Sequence, residues 1–284
     1  MSYIKFEFDT KKLGLPESNI RLYPLACLHV GAAQSDYKFI TEQLKRIKHD
    51  PQARWIYMGD GGECVTLTSK GDVSGQLLNP QLQMEMLCDL LSPLKDKGLF
   101  GIRGNHGGRI WKVAGLSFDH NLCSRLGIPY MGSGTFGHFV VNRSRYDGYF
   151  HHGIQSGITL TSKIKKAEDF GKFIDADMIF TAHSHVAIEL HPSALLSCDH
   201  QAQKAGTKLR HQYICGSAYD SRSGYAEDKG YTPLLPAMLS IELDGRIVAG
   251  KPQKHLTCRR YESDGQHELL HPYVEEYLTQ EDME

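Results

Sequence analysis

Apolar positions in this chain fall into short runs, and each run stops at a polar, glycine-rich segment. Residues 20–26, interrupted only by Arg21 and Pro24, read as a strand entering Cys27-Leu28-His29-Val30-Gly31. Ser35 is the predicted N-cap of an amphipathic helix on which Phe39, Ile40, Leu44 and Ile47 share a face. A second strand over 54–58 runs into Gly59-Asp60-Gly61-Gly62-Glu63, and residues 61–79, rich in Gly, Ser and Thr, predict a long loop. Pro80 opens a helix carrying Leu82, Met84, Leu87, Leu90 and Leu91, which Pro93 ends. A strand at 99–102 then delivers Arg103-Gly104-Asn105-His106-Gly107-Gly108-Arg109. One helix is expected over 110–126, with Leu116, Phe118, Leu122 and Leu126 apolar and Gly127 as its C-cap. Strands at 136–142 and 146–151 form a hairpin ending in His151-His152-Gly153, and Met178-Ile179-Phe180 leads into Thr181-Ala182-His183-Ser184-His185. Strands at 186–191 and 209–215 flank a polar excursion at 192–208, and 239–243 with 247–249 read as a terminal hairpin around Asp244-Gly245.

The pattern alternates strands and helices, so the fold class is α/β. It predicts a single domain over 1–261, with insertions near 61–79 and 192–208. A solvated acidic tail follows over 262–284, where there is no Lys or Arg. Composition changes this picture little. With 284 residues the chain can bury a sizeable core, and 40% hydrophobic and 23% charged residues are ordinary for a globular protein. A formal net charge of -1 excludes a global basic field that would gather nucleic acid, so a polyanionic substrate must be attracted locally. Seven cysteines form no CxxC pair and are odd in number, which points to a reduced, cytoplasmic compartment. The charged N-terminus does not read as a signal peptide, and no run is long enough to span a membrane.

Five of the strand-like runs end in potential metal ligands: Cys27 with His29, Asp60, Asn105, His152, and His183 with His185. In open α/β sheets ligands gather beyond strand ends, where loops converge while the apolar strands stay buried. Gly31, Gly59, Gly104 and Gly153 beside these residues permit close approach of backbone and ligands. His151 competes with His152, but successive strand residues face opposite ways, so only one of them joins the others.

The ordered set Gly59-Asp60 with Glu63, Gly104-Asn105-His106, His152-Gly153 and His183-Ser184-His185 resembles the calcineurin-like metallophosphoesterase superfamily. The resemblance covers roughly residues 20–220 and implies a two-layered β-sandwich flanked by helices. It further implies two divalent metal ions, with manganese, zinc or iron as candidates. Asp60 would bridge them, His29 and His185 would hold the first, and Asn105, His152 and His183 the second. His106 would contact phosphate oxygens and protonate the leaving group, and hydrolysis would proceed by metal-activated hydroxide. A bridging carboxylate suits the role because two neighbouring cations repel unless an anion lies between them.

Two positions depart from the family pattern. Cys27 stands where the first Asp is usual; as a thiolate ligand it favours zinc or iron over magnesium, and as a small buried side chain it would leave the first site weak. Gly107 replaces an acidic residue that commonly orients the histidine equivalent to His106, so another group must hold that ring. Next to the motifs, Arg109, Tyr219, Arg222 and Tyr225 are candidates for gripping phosphate or stacking on a base, or for ordinary surface pairing. Lys163, Lys165 and Lys166 form a small basic cluster, read as a solvated face. The arrangement looks like phage and bacterial phosphoesterases. It implies a phosphodiesterase acting on nucleic acid or a nucleotide, a nuclease-like activity. Alternatives are a phosphomonoesterase or protein phosphatase, and a non-catalytic member that binds a nucleotide or a partner.

Overall fold

The structure is a computed structural model and describes residues 2–69, 73, 75–153, 157–199 and 204–265. In chain order its elements are β1 (Ser2–Phe8), β2 (Asn19–Leu25), α1 (Tyr37–His49), β3 (Ala53–Tyr57), α2 (Pro80–Leu91), β4 (Gly98–Gly101), α3 (Gly107–Ala114) and α4 (Phe118–Leu126). Then come β5 (Gly134–Val141), β6 (Ser144–His151), α5 (Leu160–Gly171), β7 (Met178–Thr181), β8 (Ala187–Asp199), β9 (Lys204–Ser217) and α6 (Tyr225–Asp228). The chain closes with β10 (Ala237–Asp244), β11 (Ile247–Val248), β12 (Lys251–Pro252) and β13 (Leu256–Glu262).

Eleven strands form one curled sheet ordered β1-β5-β6-β7-β9-β10-β2-β3-β4, with β8 on β9 and β13 on β10. The link between its two limbs is thin: β9 and β10 share only the pairs Ala237↔Ser217 and Met238↔Gly216. The sheet therefore folds over there, and its limbs face one another. Phe139, Phe150, Phe180 and Tyr213 from one limb meet Ile20, Leu22, Ile56, Phe100 and Ile241 from the other in a shared buried cluster. On the outer face of the β2-β3-β4 limb, α1, α2 and α4 bury Phe39, Leu44, Leu87, Leu90 and Leu122 against Trp55 and Tyr57. The helix α5 covers the other limb through Ala167 and Ile164, which pack with Ile214. This is the α/β architecture of two β-layers flanked by helices.

Several local readings change. The N-cap of α1 is Asp36, whose carboxylate accepts from the Phe39 amide at 2.9 Å. Ser35 instead donates to the Leu28 and His29 carbonyls, so it fastens the first ligand loop rather than the helix. The segment 110–126 is two helices. Gly115 turns left-handed at φ 66° and ends α3, and Ser117 caps α4, which leaves Leu116 exposed between them. Within the expected polar excursion, residues 192–199 and 204–208 instead continue the strands, since β8 and β9 pair from Ala187↔Cys215 out to Asp199↔Lys204, and 200–203 lie outside the described residues. The expected terminal hairpin also differs. Asp244 accepts from the Arg246 amide and turns the chain, β11 pairs only with β12, and β10 takes β13 as its antiparallel partner. The strand β1, unmarked in the sequence reading, lies parallel to β5. Most of the acidic tail, residues 266–284, lies outside the described residues. Among the described residues no helix is long and apolar enough to cross a membrane.

Candidate metal centre

The predicted ligands arrive on one edge of the sheet because β2, β3 and β4 run parallel to one another, as do β6, β7 and β9. Beyond the strands the loops stay zipped: Cys27 N–H donates to the Gly59 carbonyl, His29 N–H to that of Asp60, and Ala182 N–H to that of His152. The register comes from the strands, and the loops inherit it.

Left-handed backbone concentrates at this edge. Among the described residues, Cys27, His29, Asp60, His183 and His185 all have φ between 50° and 63°. Such conformations cost about 1–3 kcal/mol each for residues with a Cβ, and they persist where surrounding structure holds them for function. Four of the five, Cys27, His29, Asp60 and His185, bring their side chains into the groups described below.

The hydrogen bonds orient the imidazole rings. His152 Nδ1 lies 2.6 Å from the Met58 carbonyl oxygen, which can only accept, so Nδ1 carries the proton. In the neutral ring Nε2 is then a lone pair, and it points at the Asn105 Oδ1 at 3.0 Å and at Asp60 Oδ2 at 2.9 Å. Though that distance suits an ion pair, Asp60 Oδ2 has no hydrogen-bond donor while being fully buried. Burial lowers the His152 pKa but Asp60 raises it more, so without a cation the ring is drawn toward its protonated form, and a cation at Nε2 would take the place of that proton. On the other side, His29 Nδ1 contacts Glu63 Oε2 at 2.7 Å, which turns its Nε2 lone pair toward His185 Nε2 at 3.0 Å.

The thiol of Cys27 lies between these halves. Its sulfur forms one group with His29 and His185 and another with Asp60 and His152, the donor atoms within each group lying within 4.8 Å of one another. A buried cluster of imidazoles, one thiol and one carboxylate, whose protons a divalent cation could displace, is a donor set that fits such cations. His183 lies outside these groups, its ring 5.5 Å from that of His152.

The electrostatics agree. Burial alone would raise the Asp60 carboxyl, but His152, His106 and His29 overcome it and hold Asp60 well below the usual carboxylate range. Burial likewise opposes ionisation of Glu63, and hydrogen bonds from His106 and His29 outweigh it. Burial lowers His29, helped by His106, and takes His183 down to about 4 with the aid of His152. The same burial, with His29 and His183 and a smaller effect from Lys163, pushes His185 well down. These three rings present lone pairs at neutral pH. In contrast, the Cys27 thiol is raised well above its ordinary value by burial and by Asp60, so only a cation would draw off its proton.

His106 is held without an acidic neighbour in sequence. Its Nδ1 donates to the Glu63 carbonyl at 2.9 Å, with Glu63 Oε2 at 3.4 Å, and its Nε2 accepts from Arg109 at 3.1 Å. Arg109 also donates to the Glu63 carbonyl and carboxylate. Although burial lowers the His106 pKa, Asp60 and Glu63 raise it more. Gly107 has a steric reason: a Cβ there would meet Asp119 Oδ2 at 2.5 Å. Asp119 is buried, accepts from Tyr57 Oη at 2.6 Å and from the Gly104 amide at 3.2 Å, and is pushed up to about 6 by burial. Tyr57 in turn accepts from the Gly61 amide at 2.9 Å, so one buried pair ties the Asp60 loop to the Asn105 loop. Gln83 of α2 adds a third tie by accepting from the Cys64 amide.

Of the remaining candidates, Tyr219 is brought to the centre, with its ring 5.4 Å from His29 and 5.6 Å from His185. Arg222 is engaged elsewhere, bidentate on Asp220 and bonded to the Gly265 carbonyl. Tyr225 belongs to α6, and His151 points away and donates no ligand, its Nδ1 accepting from the Gly153 amide. Lys165 is exposed, whereas Lys163 is buried, contrary to a uniformly solvated basic face. Tyr57, Gln83, Asp119 and Lys163 carry no local sequence signal for these roles.

With the sequence alone, no family model and no curated protein matches this chain. Solved structures do match. One is vacuolar protein sorting 29 from Cryptosporidium parvum, at 14% identity and a TM-score of 0.40, covering 86% of this chain and 99% of that one. Another is wild-type vacuolar protein sorting 29 from Entamoeba histolytica complexed with zinc, at 12% and 0.37, covering 86% and 99%. A third is the Pseudomonas putida nuclease MPE, at 13% and 0.36, covering 72% and 76%. In its ordered ligand motifs, and in the two β-layers and flanking helices that bring them together, the chain is similar to the calcineurin-like metallophosphoesterases.

Proposed function

We propose that this protein is a metal-dependent phosphoesterase that cleaves phosphodiesters of nucleic acid or of a nucleotide. The observation that carries the reading is the buried cluster at one edge of the sheet, in which Asp60 Oδ2 lies 2.9 Å from His152 Nε2 and the Cys27 sulfur groups with Asp60 and His152 on one side and with His29 and His185 on the other. The residues that would hold metal are Cys27, His29 and His185 on one side and Asn105, His152 and His183 on the other, with Asp60 between. Divalent cations held there would supply Lewis-acid stabilisation of a phosphoryl oxygen and activation of a water for attack.

The chain's own residues do the rest. Glu63 fixes the tautomer of His29 and the Met58 carbonyl fixes that of His152, so both rings keep their lone pairs on the site. Neutral His106 holds Arg109 at Nε2. To act as the acid it must carry a proton on that atom, and Arg109 must then release it and turn to the substrate. The raised pKa of His106 favours the protonated ring at this point. Tyr219 offers a ring face beside His29 and His185 on which a base can stack.

A diester is favoured over a monoester by charge. A phosphodiester carries one negative charge, whereas a monoester carries close to two at neutral pH. Arg222, held by Asp220, is not available to offset a second phosphate charge.

The test is hydrolysis of bis-p-nitrophenyl phosphate against p-nitrophenyl phosphate, with manganese, zinc, nickel and iron each supplied to stripped protein. Faster diester cleavage is expected. Preference for the monoester would replace the reading with a phosphomonoesterase, and metal binding without hydrolysis of either would leave a binding protein. His106→Ala is expected to slow diester cleavage by roughly 10²–10⁴-fold, the usual worth of a general acid, with metal content unchanged. Loss of metal together with activity would instead make His106 part of the metal shell.

A further inference from the structure

In chain order α5 follows β6 and the His151-His152-Gly153 segment and precedes β7, beyond which lie His183 and His185. In such a crossover the first turn of the helix lies at the ligand edge of the sheet. Lys163 is in that turn, its amide bonded to the Thr159 carbonyl that opens the helix. Its side chain is 5% exposed. Among the described residues the ammonium meets no carboxylate; its recorded partner is the ring face of Tyr231, 5.8 Å away at the centroid. The charge lies within electrostatic reach of His185.

This placement is costly for a cation in three ways. Burial strips it of water, the positive end of the helix dipole repels it, and the neighbouring centre is one suited to bind further cations. Lys165, two residues on, avoids the cost by facing solvent. Burial accordingly lowers the Lys163 pKa, and an anion beside the amine would restore its charged form. Resting on the phosphoesterase reading, we propose that the ammonium of Lys163 binds a non-bridging phosphate oxygen of the substrate on the His185 side of the site. The tyrosine ring supports the ammonium from one side and leaves its other donors for the ligand. Lys163 is thus a substrate-binding residue that also offsets charge on the phosphate.

The experiment uses the full chain reconstituted with metal, comparing wild type, Lys163→Met and Lys163→Arg by calorimetric titration with inorganic phosphate, diester kinetics, metal content and thermal unfolding. Methionine keeps the apolar stem and removes the charge. It is expected to weaken phosphate binding by ~10- to 100-fold, the worth of a charge-assisted hydrogen bond, and to raise KM accordingly. Arginine should restore much of that loss. Metal content should be unchanged, and the melting temperature of Lys163→Met should hold or rise, since an uncompensated buried charge is removed.

The proposal is overturned if Lys163→Met binds phosphate as wild type does, if it loses stability and metal together, or if metal-loaded wild type binds no phosphate. The two readings fail separately. Lysine-dependent phosphate binding without hydrolysis of any ester would sink the phosphoesterase and keep the anion site. Diester hydrolysis with an unchanged KM in Lys163→Met would do the reverse.

Discussion

Asp60→Asn should abolish hydrolysis and strip the centre of metal. The substitution keeps the shape of the side chain and removes its charge, so packing is not the variable. The position of Oδ2, 2.9 Å from His152 Nε2, would then hold a neutral amide atom with no charge to offer a cation or a protonated ring. The other carboxylate oxygen accepts from the His106 amide at 2.8 Å, and the amide oxygen of Asn can keep that bond. The metal-free variant loses the attraction to His152, His106 and His29 that holds the Asp60 carboxyl low, so it is expected to be less stable than metal-free wild type at neutral pH. Its turnover should fall by ~10³-fold or more, the upper range for losing one preorganised electrostatic group. Metal analysis, denaturation and diester kinetics on the same preparations check all three. Retained turnover in Asp60→Asn would sink the two-metal proposal.

Gly104→Ala is expected to be the most destabilising single-methyl change at the site. A Cβ at this position would meet Asp60 Oδ1 at 2.1 Å and the Asp60 backbone nitrogen at 2.3 Å, and backbone cannot rotate out of the way. The loop carrying Asp60 is also tied at Cys27, His29 and Tyr57, so separating the two loops strains several bonds together. A cost of ~3 kcal/mol is expected, at the upper end for overpacking, read as a fall in the urea midpoint, with loss of bound metal. Gly108→Ala is the control, because nothing lies within 4 Å of a Cβ there and the residue is helical. It should be neutral or stabilising by up to ~1 kcal/mol. If Gly104→Ala matched Gly108→Ala in stability and metal content, the close approach of the two loops would not be a requirement of the fold.

The segments of the candidate centre were legible because each is a polar motif at the end of an apolar run, and parallel strands place run ends on one edge. Asp60, His152 and the two histidines after β7 could be named as candidates without tertiary information. What escaped the sequence depends on packing between distant segments. Asp119 is one polar residue on a helix otherwise chosen for its leucines, and only the fold brings it against Gly107 and Gly104. Lys163 carries the same local signal as Lys165, and the orientation of α5 on β9 buries one and exposes the other. The long ribbon of β8 and β9 was missed for the opposite reason. Exposed on much of its length, it needs backbone pairing but no apolar alternation, so its outer part reads as a loop. The break between α3 and α4 shows the limit of periodicity, since Gly115 ends a helix that the spacing of apolar residues would carry through.

Cys27 joins both halves of the centre, and the position of ions relative to its sulfur and to Asp60 tests the central claim most directly. The measurement is anomalous scattering from crystals of the full chain grown with zinc, recorded on both sides of the zinc absorption edge. The account predicts two ions flanking the Asp60 carboxylate, one in contact with His29 and His185 and with the Cys27 sulfur, the other with Asn105, His152 and His183. A crystal supplied with zinc that shows no anomalous peak bonded to Asp60, with its Oδ2 hydrogen-bonded to a protonated His152 instead, would contradict it.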